Sequence, residues 1–188
     1  MPARGGGGLV VLLIVLVVVL VVDEADRGAD LEPGERSGSP GIGRPAPPRG
    51  GVRGEVNRVI DGDTIEVALD AAIDGGPELE DVRYIGIDTP ETVKPGAPVE
   101  CFGPEASEFN HELVEGERVR LRFDRELRDR FGRLLAYVYV GEVFVNAELI
   151  SGGFARTLEI EPNTAEAAHL ADLRGEAGAA GRGLWSAC

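Results

Sequence analysis

The chain has 188 residues and a formal net charge of -14. The length fits one domain with a real core plus extensions. The charge excludes a uniformly basic surface of the kind that grips nucleic acid over its whole length. Within residues 54–188, however, 7 of the 13 basic groups fall between positions 118 and 133, while 24 of the 27 acidic groups lie outside that stretch. Such a cluster is either one basic face kept on an acidic, salt-adapted protein or simply a solvated charged loop.

The N-terminus opens with Arg4 and four glycines, then an unbroken Leu/Val/Ile run over 9–22, then Asp23, Glu24 and Asp26. A positive start, an apolar run and a polar exit form an export signal. The run is short for a bilayer span, and no small-x-small cleavage site follows Val22. Residues 1–22 therefore read equally as a signal peptide or as a membrane signal-anchor. Residues 23–53, rich in Pro, Gly and Arg, read as a disordered linker.

A domain is expected over 54–188. GEVNRVI (54–60) and TIEVAL (64–69) are β-branched, strand-like runs separated by Asp-Gly-Asp, a turn signal in which glycine tolerates positive φ. VRYIGI (82–87) reads as a third strand, ended by Asp88-Thr89-Pro90 because proline cannot donate to a ladder. Gly103-Pro104-Glu105 reads as a helix start; Phe102, Ala106, Phe109 and Leu113 recur at helical spacing up to Gly116. RVRLRF (118–123) alternates, with Arg118, Arg120 and Arg122 on one face. LLAYVYV (134–140) and EVFVN (142–146) flank a turn at Gly141, and a short helix is expected over 146–151. Asn163-Thr-Ala-Glu166 has the form of a capping box opening a last helix to about Gly175, after which Leu184-Trp185 packs back. Five to six short strands with inserted and appended helices predict a small α+β barrel.

Three stretches carry chemistry. VIDGDT (59–64) and IDTPET (87–92) place Asp61, Asp63, Asp88 and Glu91 at strand ends. If those strands are neighbours, Asp63 and Asp88 converge, and two carboxylates with carbonyls and water suit Ca²⁺; no His or Cys lies nearby to suit Zn²⁺. Glu91 could reach a water as general base. Taken singly, each acid is more often a turn former or cap. RDRFGR (128–133) adds cations, and Arg83 and Arg133 offer planar forks for phosphate oxygens, although a lone arginine is more often a surface ion pair. His111 and His169 read as surface residues. Cys101 and Cys188, an even pair in an exported chain, read as one disulfide rather than two separate thiols. An aspartic protease is a poor fit, because Pro90 stands where Asp-Thr-Gly is needed.

VIDGDT, VRYIGIDTPET, FGPEAS, DRFGRLLAYVY and the closing LWS occur in this order, and over residues 54–186 the chain resembles the staphylococcal nuclease family. The resemblance implies a five-stranded antiparallel OB-fold barrel with about three helices. It implies Ca²⁺ held by Asp63, Asp88 and the main-chain carbonyl of Thr89, with Asp61 orienting the site from behind. It implies that Arg83 and Arg133 clamp the scissile phosphate, that Glu91 activates water, and that Arg130 and Phe131 contact substrate. The implied activity is cleavage of DNA and RNA to 3′-phosphate ends with little sequence preference. The implied protein is an exported monomer, extracellular or held on the outer face of the cytoplasmic membrane by an uncleaved N-terminal run. Leu158, Ile160 and Phe131 stand where the family has tyrosines, which weakens the expected substrate grip. The alternative is a catalytically weak or inactive barrel that binds nucleic acid or protein.

Overall fold

The computed structural model describes residues 51–92, 96 and 98–188. The apolar run over 9–22 and the linker up to residue 50 lie outside the described residues. Among the described residues, no helix is long and apolar enough to cross a membrane.

The described residues form eight strands and four helices, in order β1 (Val52–Asp61), β2 (Thr64–Leu69), β3 (Leu79–Tyr84), β4 (Gly86–Asp88), α1 (Gly103–Val114), β5 (Arg118–Arg122), β6 (Leu134–Val140), β7 (Val143–Phe144), α2 (Val145–Ser151), β8 (Arg156–Leu158), α3 (Ala167–Ala179) and α4 (Leu184–Ala187). The main sheet runs β3-β2-β1-β5-β6-β7, and a further β3–β6 pairing closes its first five strands into a barrel. The expected OB-type α+β barrel is thus present. Four of its pairings are antiparallel; the closing one, Val82↔Leu134 to Tyr84↔Ala136, is parallel.

β1 starts at Val52, ahead of the domain boundary read at Gly54, because Val52 and Arg53 pair with Leu121 and Arg120. The in-out alternation of β1 breaks once, where a register shift between Val56 and Arg58 leaves Asn57 and Arg58 both exposed. Such a bulge adds one residue to one strand, and it returns Val59 and Asp61 to the buried side. The inner faces of β1, β2, β3, β5 and β6 supply Val56, Ile65, Val67, Val82, Leu121, Leu134 and Val138, each at most 2% exposed. Burial of side chains of this size contributes about 1.5–3 kcal/mol each.

The expected third strand is in fact two. The chain turns at Ile85 between β3 and β4, and Gly86, the first residue of β4, takes a φ of 81°. Asn146, fully buried at the start of α2, donates to the Ile85 carbonyl at 2.8 Å and accepts the Val138 N–H at 3.0 Å. β4 then pairs with β8 in a separate two-stranded sheet that no alternation in the sequence had indicated.

The capping-box reading of 163–166 is corrected. α3 starts at Ala167 and no side chain caps it. Asn163 instead accepts the Arg125 and Glu126 N–H groups at 3.0 and 2.7 Å and donates to the Glu126 carbonyl at 2.8 Å. It therefore pins the loop before β6. His169 also departs from the surface reading: its ring lies against Phe144, with a centroid separation of 6.4 Å.

Candidate active site

The two-residue turn Gly62-Asp63 joins β1 to β2. Gly62 does not adopt positive φ; it is needed for space, since a Cβ there would lie 2.6 Å from Thr89 Oγ1. The turn therefore seats directly on the segment after β4. Asp63, 5% exposed, accepts the Thr89 N–H at 3.0 Å and the Thr64 hydroxyl at 3.0 Å. The Asp63 and Asp88 strand ends, far apart in sequence, are thereby brought together.

Arg83 completes the junction. From β3 its guanidinium contacts the Asp63 carboxylate and donates to Asp88 Oδ1 at 2.8 Å. One cation thus bridges two carboxylates. Desolvation raises Asp88 above the ordinary carboxylate range, and Arg83 pulls it back down. Desolvation also raises Asp61, opposed by hydrogen bonds from Thr92 and Gly62 and reinforced by a shared hydrogen bond with Glu91. Both shifts favour the protonated acid, so a cation held here would compete with protons and bind better as pH rises.

The donor set suits a hard cation. Two carboxylates and the Thr89 backbone meet without nitrogen or sulfur ligands, and Thr89 Oγ1 is buried with no hydrogen-bond partner. Arg83 marks the place where positive charge is already accommodated. Among the described residues, no group of three or more His, Cys, Asp or Glu side chains is placed to hold a metal. The protein would therefore supply only part of a coordination shell, and carbonyls, water and a phosphate oxygen would supply the rest.

Asp61 lies behind this junction, 7% exposed, and accepts Thr92 Oγ1 at 2.6 Å and the Gly62 N–H at 2.9 Å. Asn110, unnoticed in the sequence because it sits on the inner stripe of α1, is fully buried. It donates to the Asp61 carbonyl at 3.1 Å and accepts Tyr84 Oη at 3.0 Å. Glu91 is tied to Glu100 in both directions: its N–H donates to Oε2 at 3.3 Å, and its carbonyl accepts the Glu100 N–H at 3.0 Å. Glu100 precedes Cys101, which is disulfide-bonded to Cys188.

Beside Arg83 opens a cleft of about 540 Å³, whose walls include Arg130, Phe131, Arg133, Leu158 and Ile160. Asp129 shapes one side: its carboxylate accepts the Phe131 and Arg133 N–H groups at 2.9 and 3.0 Å and Arg133 Nε at 2.8 Å. Phe131 is 69% exposed, with Arg130 over its ring at 4.7 Å and Arg133 at 5.5 Å. Ile160, 60% exposed, forms an apolar wall with Leu158. Glu91 is not among the residues that line this cleft. The basic cluster is less free than its charge suggests: Arg118, Arg122, Arg128 and Arg133 are paired with Asp70, Glu166, Glu80 and Asp129. His111 pairs with Glu115 at 3.0 Å, away from this chemistry.

Comparison with known proteins bears on this arrangement. Residues 81–187 match the model of the family described as staphylococcal nuclease homologue. The match contains Arg83, Asp88, Glu91 and Arg133, whereas Asp61 and Asp63 lie upstream of it. Thermonuclease of Staphylococcus hyicus is 39% identical over 132 residues, 70% of this chain and 75% of that protein. Thermonuclease of Staphylococcus intermedius is 49% identical over 115 residues, 60% of this chain and 65% of that protein. Endonuclease YncB of Bacillus subtilis (strain 168) is 44% identical over 111 residues, 58% of this chain and 50% of that protein. The chain thus spans between half and three quarters of these relatives. A closed barrel carrying Arg83 between two carboxylates, the match over 81–187 and the similarity to the thermonucleases all lead to one assignment: the chain belongs to the staphylococcal nuclease homologue family.

Proposed function

We propose that the chain is an exported, calcium-dependent phosphodiesterase that cuts DNA and RNA to 3′-phosphate products with little sequence preference. The observation that carries this reading is the shared cleft of Arg83 and Arg133, with Arg83 joined to Asp63 and Asp88. Calcium would be held by Asp63, Asp88 and the Thr89 carbonyl, and when bound it supplies positive charge beside the scissile phosphate. The two guanidinium forks engage the non-bridging oxygens, where charge accumulates as the pentavalent arrangement forms. Glu91, oriented through Asp61 and Glu100, accepts the proton of the attacking water. The bond from phosphorus to the 5′-oxygen breaks and the departing oxygen takes a proton from solvent water, leaving a 3′-phosphate on one fragment and a 5′-hydroxyl on the other. Arg130 and Phe131 receive the neighbouring nucleotide. The protein acts as a monomer outside the cytoplasm, free or held at the outer face of the membrane by its N-terminal run.

The test is cleavage of plasmid DNA and of RNA across a calcium titration. Cleavage should saturate with calcium, stop with a chelator and fall about 100- to 1,000-fold in Arg133→Ala, as for loss of one charge-stabilising donor. A folded protein that binds nucleic acid but cuts it at no calcium concentration would replace this reading with a binding module.

The apolar wall gives a second expectation. Ile160 is exposed at the cleft edge, so Ile160→Tyr adds a stacking surface without disturbing the core. Base–aromatic stacking contributes about 1–3 kcal/mol, so KM for DNA should fall about tenfold with kcat held. An unchanged KM would show that no base reaches this wall.

A further inference from the structure

Resting on that reading of the cleft, we propose that Glu80 and Arg128 are positioning residues, a latch that holds the tip of the β5–β6 hairpin, the connection over 123–133 that bears Arg133, at a fixed distance from Arg83. Glu80 sits on the inward face of β3 with Val82 and Tyr84, only 6% exposed. A carboxylate in that position is costly unless paired and hydrogen-bonded. Arg128 meets it with both terminal nitrogens, Nη1 to Oε2 at 3.0 Å and Nη2 to Oε1 at 2.6 Å. The same Nη1 also donates to the Gly132 carbonyl at 2.8 Å. Arg128 is therefore not a phosphate ligand of the RDRFGR stretch. It ties the tip of the hairpin to β3.

Three details make this a fixed geometry. The tip is closed on itself, with the Gly132 N–H on the Asp129 carbonyl and the Asp129 N–H on the Arg133 carbonyl, both at 3.0 Å. The loop after β2 covers the ion pair so closely that a Cβ on Gly76 would lie 2.9 Å from Glu80 Oε1 and 3.1 Å from Arg128 Nη2. The strand that holds the latch also carries Arg83, and it pairs with β6 directly after the tip, Arg83 opposite Leu135. The parallel pairing fixes one point of the tip and the latch fixes a second, so the tip cannot pivot about the first. Buried ion pairs contribute little net stability compared with apolar replacements. Positioning accounts for this partly buried pair better than stability does.

The experiment uses the full chain, at a temperature where near-UV circular dichroism shows each variant folded. Glu80→Gln should lower kcat about 10- to 100-fold, the range expected when a catalytic group shifts by about an ångström. In an Arg133→Ala background the same change should cost nothing further, because the group it positions is gone. Amide exchange at Phe131, Gly132 and Arg133 should speed up in Glu80→Gln. Wild-type kcat in Glu80→Gln, or an equal loss in both backgrounds, overturns the proposal. If Glu80→Gln does not fold, Arg128→Lys, which keeps the charge but loses the fork, carries the same expectations. Should the wild type cut no substrate, the nuclease reading fails, and amide exchange alone then decides the latch: faster exchange supports it and unchanged exchange overturns it.

Discussion

Arg83→Ala is expected to lower cleavage about 10³- to 10⁵-fold, the range for removing an arginine that neutralises a phosphoryl transition state. It should also destabilise the calcium-free protein by roughly 2–4 kcal/mol. The two effects share one cause. Arg83 is the charge between Asp63 and Asp88, and its removal leaves a 5%-exposed carboxylate beside a second one with no intervening cation. The destabilisation stays below that of a fully buried pair because Asp88 is half exposed and water screens it. Calcium should then stabilise the variant more than the wild type, since it neutralises the same two carboxylates. Urea unfolding with and without calcium, run beside the cleavage assay, checks both parts. Equal stability loss in the two conditions would separate the arginine from the metal site, and near-normal cleavage would remove Arg83 from the chemistry.

Replacing both cysteines by serine should have the largest effect on stability, about 2–5 kcal/mol, or a fall in Tm of roughly 10 °C. The bridge spans 87 positions and fixes the C-terminal residue to the start of α1. Covalent closure of so long a loop restricts the unfolded chain strongly. Cys101 directly follows Glu100, the residue that holds Glu91 in both directions, so part of the loss should appear as a lower kcat well below Tm. Thiol labelling of unreduced, denatured wild type should find no free cysteine. Two labelled thiols, or an unchanged Tm in the double variant, would contradict the role given to this bond.

Much of the fold was legible because β-branched alternation and turn residues state strand positions locally. The hairpin of β1 and β2, the start of α1 at Gly103-Pro104 and the arginine face of β5 all follow from patterns within a few residues. The break at Ile85 and the β4–β8 pair were not legible, since the first depends on Asn146 capturing the Ile85 carbonyl from sixty-one residues away. The same contrast holds in the site. Asp61, Asp63, Asp88, Glu91, Arg83 and Arg133 announced themselves by residue type at strand ends and by family motifs. Asn110, Asp129, Asn163 and the Glu80–Arg128 pair did not. Each is a common polar residue whose importance comes from what the barrel folds against it.

The disulfide makes a covalent ring of everything from α1 to the C-terminus, and the hairpin with exposed Arg125 and Arg130 lies inside that ring. If the protein is exported as proposed, trypsin-like proteases would have access to those arginines. A single nick there would leave the two pieces joined through sulfur and still hydrogen-bonded along β3 and β6. A chain cut in this loop would thus stay one molecule for as long as the Cys101–Cys188 bond stays oxidised.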